Sequence, residues 1–236
     1  MNDFGIKIYS DGADINEIIK MDSENLVDGF TTNPTLMSRL GITDYLGFAK
    51  EVLSTVKEKS ISFEVFSDEI DDMYRQALIL RDLGENVWVK IPVTNTQGIY
   101  TYDLINKLSF EGVKVNATAL FTKDHIQKVY DALNPEVNAI ISIFAGRIAN
   151  AGLDPEPTMQ FGSDLSSNNP LIETLWASSR EVFNIMQAVR TNTDIITLPP
   201  SLIKAFQQDV GKDLDEFSLE TVRMFYEDAK KSGFSL

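Results

Sequence analysis

The chain has 236 residues, 43% of them hydrophobic and 24% charged, and a formal net charge of −14. These proportions exclude a disordered, collagen-like or disulfide-scaffold chain and suit a globular protein with a sizeable core. The acidic balance argues against nucleic acid or an anionic membrane as partner, and without cysteine there is no thiolate or disulfide chemistry.

The opening segment, MNDFGIKIYSDGAD, lacks a basic stretch followed by an apolar one, so no secretory signal is expected. No apolar run approaches the roughly 18 residues of a membrane span. A cytoplasmic protein is the expectation. Short apolar runs then alternate with amphipathic stretches. Ile6–Tyr9 reads as a first strand and leads into Asp11. Asp28–Thr31 reads as a second, running into Thr31, Thr32 and Asn33 before Pro34. A helix over Asp44–Glu58 places Tyr45, Phe48, Ala49, Val52 and Val56 near one face. The third strand, Ile61–Phe66, carries Glu64 between Phe63 and Val65. A helix over Ile70–Gly84 follows, with Gly84 as its expected stop. Strand four, Val87–Ile91, lies within VWVKIPV and carries Lys90.

A helix over Gly98–Phe110 precedes strand five, Val113–Asn116, with Thr118 just beyond. The next helix, Thr122–Leu133, holds the single histidine, His125, near its start. A solvated or capping role is expected for it. Strand six, Ala139–Phe144, contains Ser142 and leads to Arg147. Strand seven, Ile172–Trp176, leads to Ser178, Ser179 and Arg180 and a helix over Ser179–Thr191. Strand eight, Ile195–Leu198, precedes a helix over Ser201–Gln208 and a last one over 215–232.

Eight strand–helix repeats point to an α/β protein, a (β/α)₈ TIM barrel. The expected arrangement is a single domain over 1–236 with an additional C-terminal helix. A doubly wound open sheet is the alternative. In a barrel, the polar strand ends would converge on one mouth. Lys90 stands out there. A lysine inside an apolar strand either reaches solvent at the strand end or sits in the barrel, where a neutral amine can attack a carbonyl and form a Schiff base. Asp11 and Glu64 would supply the proton transfers such chemistry needs. Arg147 and Arg180, with neighbouring hydroxyls, suit a phosphate. With one histidine and no cysteine, no metal site or cofactor is expected.

At these residues the sequence resembles the transaldolase family, including its short fructose-6-phosphate aldolase-like members. Five segments carry the resemblance: GFTTNPTLM at Gly29–Met37, SFEVF at Ser62–Phe66, VWVKIPVTNTQG at Val87–Gly98, VNATALFT at Val115–Thr122 and ISIFAGRI at Ile141–Ile148. The resemblance implies a metal-free Schiff-base enzyme of the pentose phosphate pathway. Lys90 would form the imine. Asp11 would move the substrate hydroxyl proton, and Glu64 and Thr118 would hold the water of imine formation. Thr31, Asn33, Asn116, Ser142 and Phe144 would line the substrate, and Arg147, Ser178 and Arg180 would bind its phosphate. Donors would be fructose 6-phosphate or sedoheptulose 7-phosphate, and acceptors erythrose 4-phosphate or glyceraldehyde 3-phosphate. Glutamate at Glu64 and phenylalanine at Phe144 match the transferring members. Release of free dihydroxyacetone, or sugar-phosphate binding without turnover, are the alternatives. The resemblance also implies a homo-oligomer, a pentamer or decamer. After GRI the chain carries Ala149 and Asn150 where the family usually has acidic residues.

Overall fold

The computed structural model describes residues 4–235; Met1–Asp3 of the N-terminal reading, and Leu236, lie outside them. In chain order the elements are β1 (Lys7–Asp11), α1 (Ile15–Ser23), β2 (Gly29–Thr31), α2 (Pro34–Arg39), α3 (Tyr45–Thr55), β3 (Ser60–Glu64), α4 (Ile70–Arg81), β4 (Val87–Pro92) and α5 (Tyr102–Phe110). There follow β5 (Val115–Leu120), α6 (Lys123–Ala132), β6 (Ala139–Ile143), α7 (Ala145–Asn150), α8 (Glu156–Ser166), β7 (Ile172–Trp176), α9 (Phe183–Arg190), β8 (Ile195–Leu198), α10 (Pro200–Asp209) and α11 (Leu214–Lys231). The strands are all parallel and close as β1-β2-β3-β4-β5-β6-β7-β8, which decides for the barrel over the open sheet.

The strands lack polar–apolar alternation because both their faces are covered. Every residue of β6 and β8 is buried. Polar caps start several helices at positions the sequence makes explicit. Asp14 accepts from Asn16 N and Glu17 N, Asn33 from Leu36 N, Asp44 from Gly47 N, and Thr122 from His125 N. The six-residue helices α2 and α7 are additions to the expected elements; they are too short to show a period. Helices α1 and α8 are additions too. Helix α4 ends at Arg81 rather than Gly84, and α5 starts at Tyr102 rather than Gly98. Before α5, Asn95 Oδ1 accepts from Gln97 N and Ile99 N, which folds that stretch into a turn. Helix α9 starts at Phe183 rather than Ser179, because Asn184 Oδ1 accepts from Arg180 N and Glu181 N and holds them in a loop.

The chain separates into two compact units, Met1–Ile203, which contains the barrel, and Lys204–Leu236, which contains α11. Asp213 caps α11 by accepting from Asp215 N and Glu216 N, and Lys230 and Lys231 lie in its last turn, where cations suit the helix dipole.

Candidate active site at the C-terminal mouth

Residues in register on neighbouring strands share a face, and the face repeats every second residue. Gly29 pairs with Tyr9 and with Ser60, and two residues further along the strands Thr31 pairs with Asp11 and Ser62. Glu64 pairs with Lys90, and Lys90 with Asn116. Tyr9, Trp88, Ile140, Leu175 and Ile195 belong to one apolar cluster. Asp11, Lys90, Ser142 and Thr197 follow four of these residues by two positions. The cluster is therefore an apolar floor, and the polar residues form the layer above it toward the strand C-termini. Gly29 is needed in the floor: a β-carbon there would lie 2.6 Å from the Tyr9 ring. The ring crosses that space so that its hydroxyl accepts from Ser60 Oγ at 2.7 Å.

Three hydrogen-bond sets build the polar layer. Lys90 is 6% exposed, and its Nζ lies 2.9 Å from Glu64 Oε2 and donates to the Thr32 carbonyl at 2.9 Å. Thr31 Oγ1 donates to Asp11 Oδ1 at 2.8 Å and lies 2.6 Å from Thr197 Oγ1. Asn116 Nδ2 donates to Ser62 Oγ at 3.0 Å, and its Oδ1 accepts from Ser142 Oγ at 2.7 Å. Thr118 is buried on β5, and its Oγ1 finds no hydrogen-bond partner among the described residues. Beside it the chain bulges at Ala119, which takes φ +61° where β5 leaves register with β6.

Burial pushes the Asp11 carboxyl above the usual carboxylate range. Lys90 and the Thr31 hydroxyl pull the other way without cancelling it, and Glu64 adds to the rise. Such a group is suited to exchanging a proton nearer neutral pH than an ordinary aspartate. Asn33 uses Oδ1 to cap α2 at the edge of this layer.

The arginines lie after β6 and β7, at the same end of the barrel. Arg147 is exposed on α7, its guanidinium 5.8 Å from the centre of the Phe144 ring. Phe144 packs on the floor cluster and against Phe121. Ser178 takes φ +66°, and its carbonyl fills the space where a β-carbon of residue 146 would stand, so Gly146 must be glycine. Arg180 is exposed, with Nη2 3.2 Å from the Asn150 amide oxygen when that amide is turned to donate to Gly146 O at 3.1 Å. Ser179 Oγ donates to the Thr197 carbonyl at 2.8 Å and ties the loop to β8. His125 lies in the first turn of α6, its Nδ1 facing the Phe121 amide at 3.4 Å and its ring edge-on to Tyr100.

Sequence reasoning missed Thr197, Ser62 and the Thr32 carbonyl. Thr197 and Ser62 carry the signal that finds the others, a polar residue in an apolar strand. A main-chain carbonyl leaves no such mark.

Fold and site thus define a (β/α)₈-barrel protein with a buried lysine–carboxylate centre in the C-terminal mouth, the end where barrel enzymes hold their catalytic residues. The family model described as "Transaldolase/Fructose-6-phosphate aldolase" matches residues 8–236, and the chain belongs to that family. A protein of Bartonella henselae named "Probable transaldolase" is 32% identical over 237 residues, covering 97% of this chain and 98% of the relative. One of Thermoplasma volcanium with the same name is 34% identical over 232 residues, covering 96% of each. Among solved structures, KGPDC from Streptococcus mutans superposes with a TM-score of 0.55 at 12% identity, covering 86% of this chain and 96% of that one. That likeness is one of fold. No helix among the described residues is long and apolar enough to cross a membrane.

Proposed function

We propose that the protein is a transaldolase that moves a dihydroxyacetone unit from a ketose phosphate to an aldose phosphate through an imine on Lys90. The observation that carries this reading is the Lys90–Glu64 contact of 2.9 Å in a buried layer shared with Asp11. An ammonium must lose a proton before it can attack. Glu64 is its nearest acceptor, directly or through a water that Thr118 would share. Two N–H groups then stay on Glu64 and the Thr32 carbonyl, which leaves the lone pair for the substrate ketone. Loss of water gives the iminium. Asp11 takes the C4 hydroxyl proton, the C3–C4 bond breaks, and its electron pair passes into the iminium to form the enamine. The first aldose phosphate leaves. The enamine attacks the acceptor aldehyde, and Asp11 returns its proton to the new hydroxyl. Water then hydrolyses the iminium and frees Lys90.

Thr31, Asn33, Asn116 and Ser142 are assigned to the substrate hydroxyls, and Arg147, Ser178 and Arg180 to its phosphate. Asn150 supports the phosphate role, because a neutral amide orients Arg180 without neutralising it. Arg180→Ala is expected to lower kcat/KM for fructose 6-phosphate roughly 10- to 150-fold, the effect of losing one charge-assisted hydrogen bond. Dihydroxyacetone, which has no phosphate, should react almost as before. Equal losses on both substrates would make Arg180 a structural residue.

Transfer rather than release rests on Phe144, whose ring offers no proton to the enamine. Phe144→Tyr should raise free dihydroxyacetone relative to transfer by about tenfold, which needs only about 1.4 kcal/mol of differential barrier. The measurement is product analysis from fructose 6-phosphate with and without erythrose 4-phosphate. Wild-type release as fast as transfer would replace this reading with that of an aldolase. The homo-oligomer that the resemblance implies, and the cytoplasmic setting expected from the sequence, belong to the same proposal.

A further inference from the structure

The C-terminal end of β3 is left bare on one side. Strand β2 makes its last register pair with β3 at Thr31–Ser62, and Thr32 N then donates to the Ser62 carbonyl at 3.1 Å. Asn33 and Pro34 turn the chain into α2. Backbone N–H and C=O groups of a strand face the same neighbour at every second residue. Those of Glu64 therefore face the side that β2 has vacated. Tyr45, the first residue of α3, fills that place. Its hydroxyl accepts from Glu64 N at 2.8 Å and donates to Glu64 O at 2.8 Å. On the other side β4 holds the same stretch, with Val65 N donating to Lys90 O at 3.1 Å. The Tyr45 ring is fixed by Phe63 at 6.4 Å and Phe66 at 5.2 Å between centres. Burial pushes the Tyr45 hydroxyl above the ordinary phenol range, so at neutral pH it keeps the proton it donates.

We propose that Tyr45 is a positioning residue for the lysine–carboxylate centre: its hydroxyl stands in for the missing strand and fixes the backbone from which Glu64 reaches Lys90. Both hydrogen bonds go to one residue, the one whose carboxylate lies 2.9 Å from Lys90 Nζ. A shift of that backbone carries the carboxylate with it. The steps affected are those in which Glu64 handles protons, the making and hydrolysis of the imine. Binding of the distant phosphate is untouched. This inference rests on the Schiff-base reading above.

Tyr45→Phe keeps the ring on Phe63 and Phe66 and deletes only the hydroxyl. The expected result is a fall of about tenfold in kcat and in the rate of borohydride trapping with dihydroxyacetone, the scale of one of the two hydrogen bonds that the hydroxyl makes. KM for fructose 6-phosphate should stay close to wild type. In a Glu64→Gln background the same change should cost much less, because the carboxylate it positions is gone. Wild-type kcat and trapping rates in Tyr45→Phe, or losses that simply multiply with those of Glu64→Gln, would overturn the proposal and leave the hydroxyl a structural cap. Hydrogen exchange in the wild-type protein gives a second test that does not depend on a variant folding. The Glu64 amide should be protected to the level of the β3 interior; exchange at the rate of an exposed loop would contradict the hold of the Tyr45 hydroxyl on that backbone. Wild type that traps no substrate at all would instead remove the Schiff-base reading itself.

Discussion

Lys90→Ala is expected to lower transfer from fructose 6-phosphate to erythrose 4-phosphate by at least about 10⁴-fold, since the proposed imine forms on this amine. The substitution has a second effect. It strands Glu64, whose side chain is 19% exposed beside a lysine that is 7% exposed. Removing one partner of a largely buried ion pair destabilises the fold, by up to roughly 3 kcal/mol. Loss of activity in Lys90→Ala alone would therefore be ambiguous. Lys90→Arg resolves it. A guanidinium stays charged, so it can keep the pairing with Glu64 and the Thr32 carbonyl but cannot act as the nucleophile. The arginine variant should be folded, as judged by thermal melting, and as inactive as the alanine variant. A folded Lys90→Arg that retains turnover would show that the reaction does not pass through this amine.

Asp11→Asn should separate activity from stability in opposite directions. In the proposed cleavage Asp11 would accept the C4 hydroxyl proton, and so would work as the anion. Removing a general base costs about 10²- to 10⁴-fold. Burial holds its carboxyl above the value of 3.8 that it has when exposed. The sign of the stability effect follows. Below 3.8 the group is protonated in both folded and unfolded chains and makes no difference. As pH rises from there through the raised folded value, the unfolded chain ionises more readily, and folding is progressively disfavoured. That cost is fully present above the folded value. The substituted amide can still accept from Thr31 through its oxygen but carries no charge. The variant should thus melt higher than wild type at pH 7 and lose that advantage in acid. The acidic limb of wild-type kcat/KM should have its midpoint above 3.8, set by the same group. An Asp11→Asn protein that melts lower at pH 7 would mean that the Lys90 attraction outweighs the burial.

Most of the barrel is legible in the sequence because buried parallel strands print an apolar run whatever else they carry. Ile172–Trp176 and Ile195–Leu198 fall where their composition places them. Strands β3 and β5 run Ser60–Glu64 and Val115–Leu120 rather than Ile61–Phe66 and Val113–Asn116, and several helix boundaries lie where side chains, not periodicity, decide. Asn95 and Asn184 fold the starts of the expected helices into loops, and α2 has fewer than two turns after its Asn33 cap and Pro34. In the site, Lys90, Glu64 and Asp11 stand out as charges in or beside apolar strands. Thr197 in DIITLPP carries the milder mark of an uncharged polar residue in an apolar strand, and it completes the Asp11–Thr31 set. Tyr45 reads as one more residue on the apolar face of a helix. Its role depends on β2 stopping before Glu64 finds a partner, which follows from the barrel register and leaves no trace in composition.

Borohydride reduction of the protein with fructose 6-phosphate, followed by peptide mapping, tests the central claim most directly. One stable adduct of a dihydroxyacetone or ketose unit is expected, carried by the peptide containing VWVKIPV and located on Lys90, and none in Lys90→Ala or Lys90→Arg. An adduct on another lysine, or turnover with no adduct under conditions that reduce an imine, would contradict it.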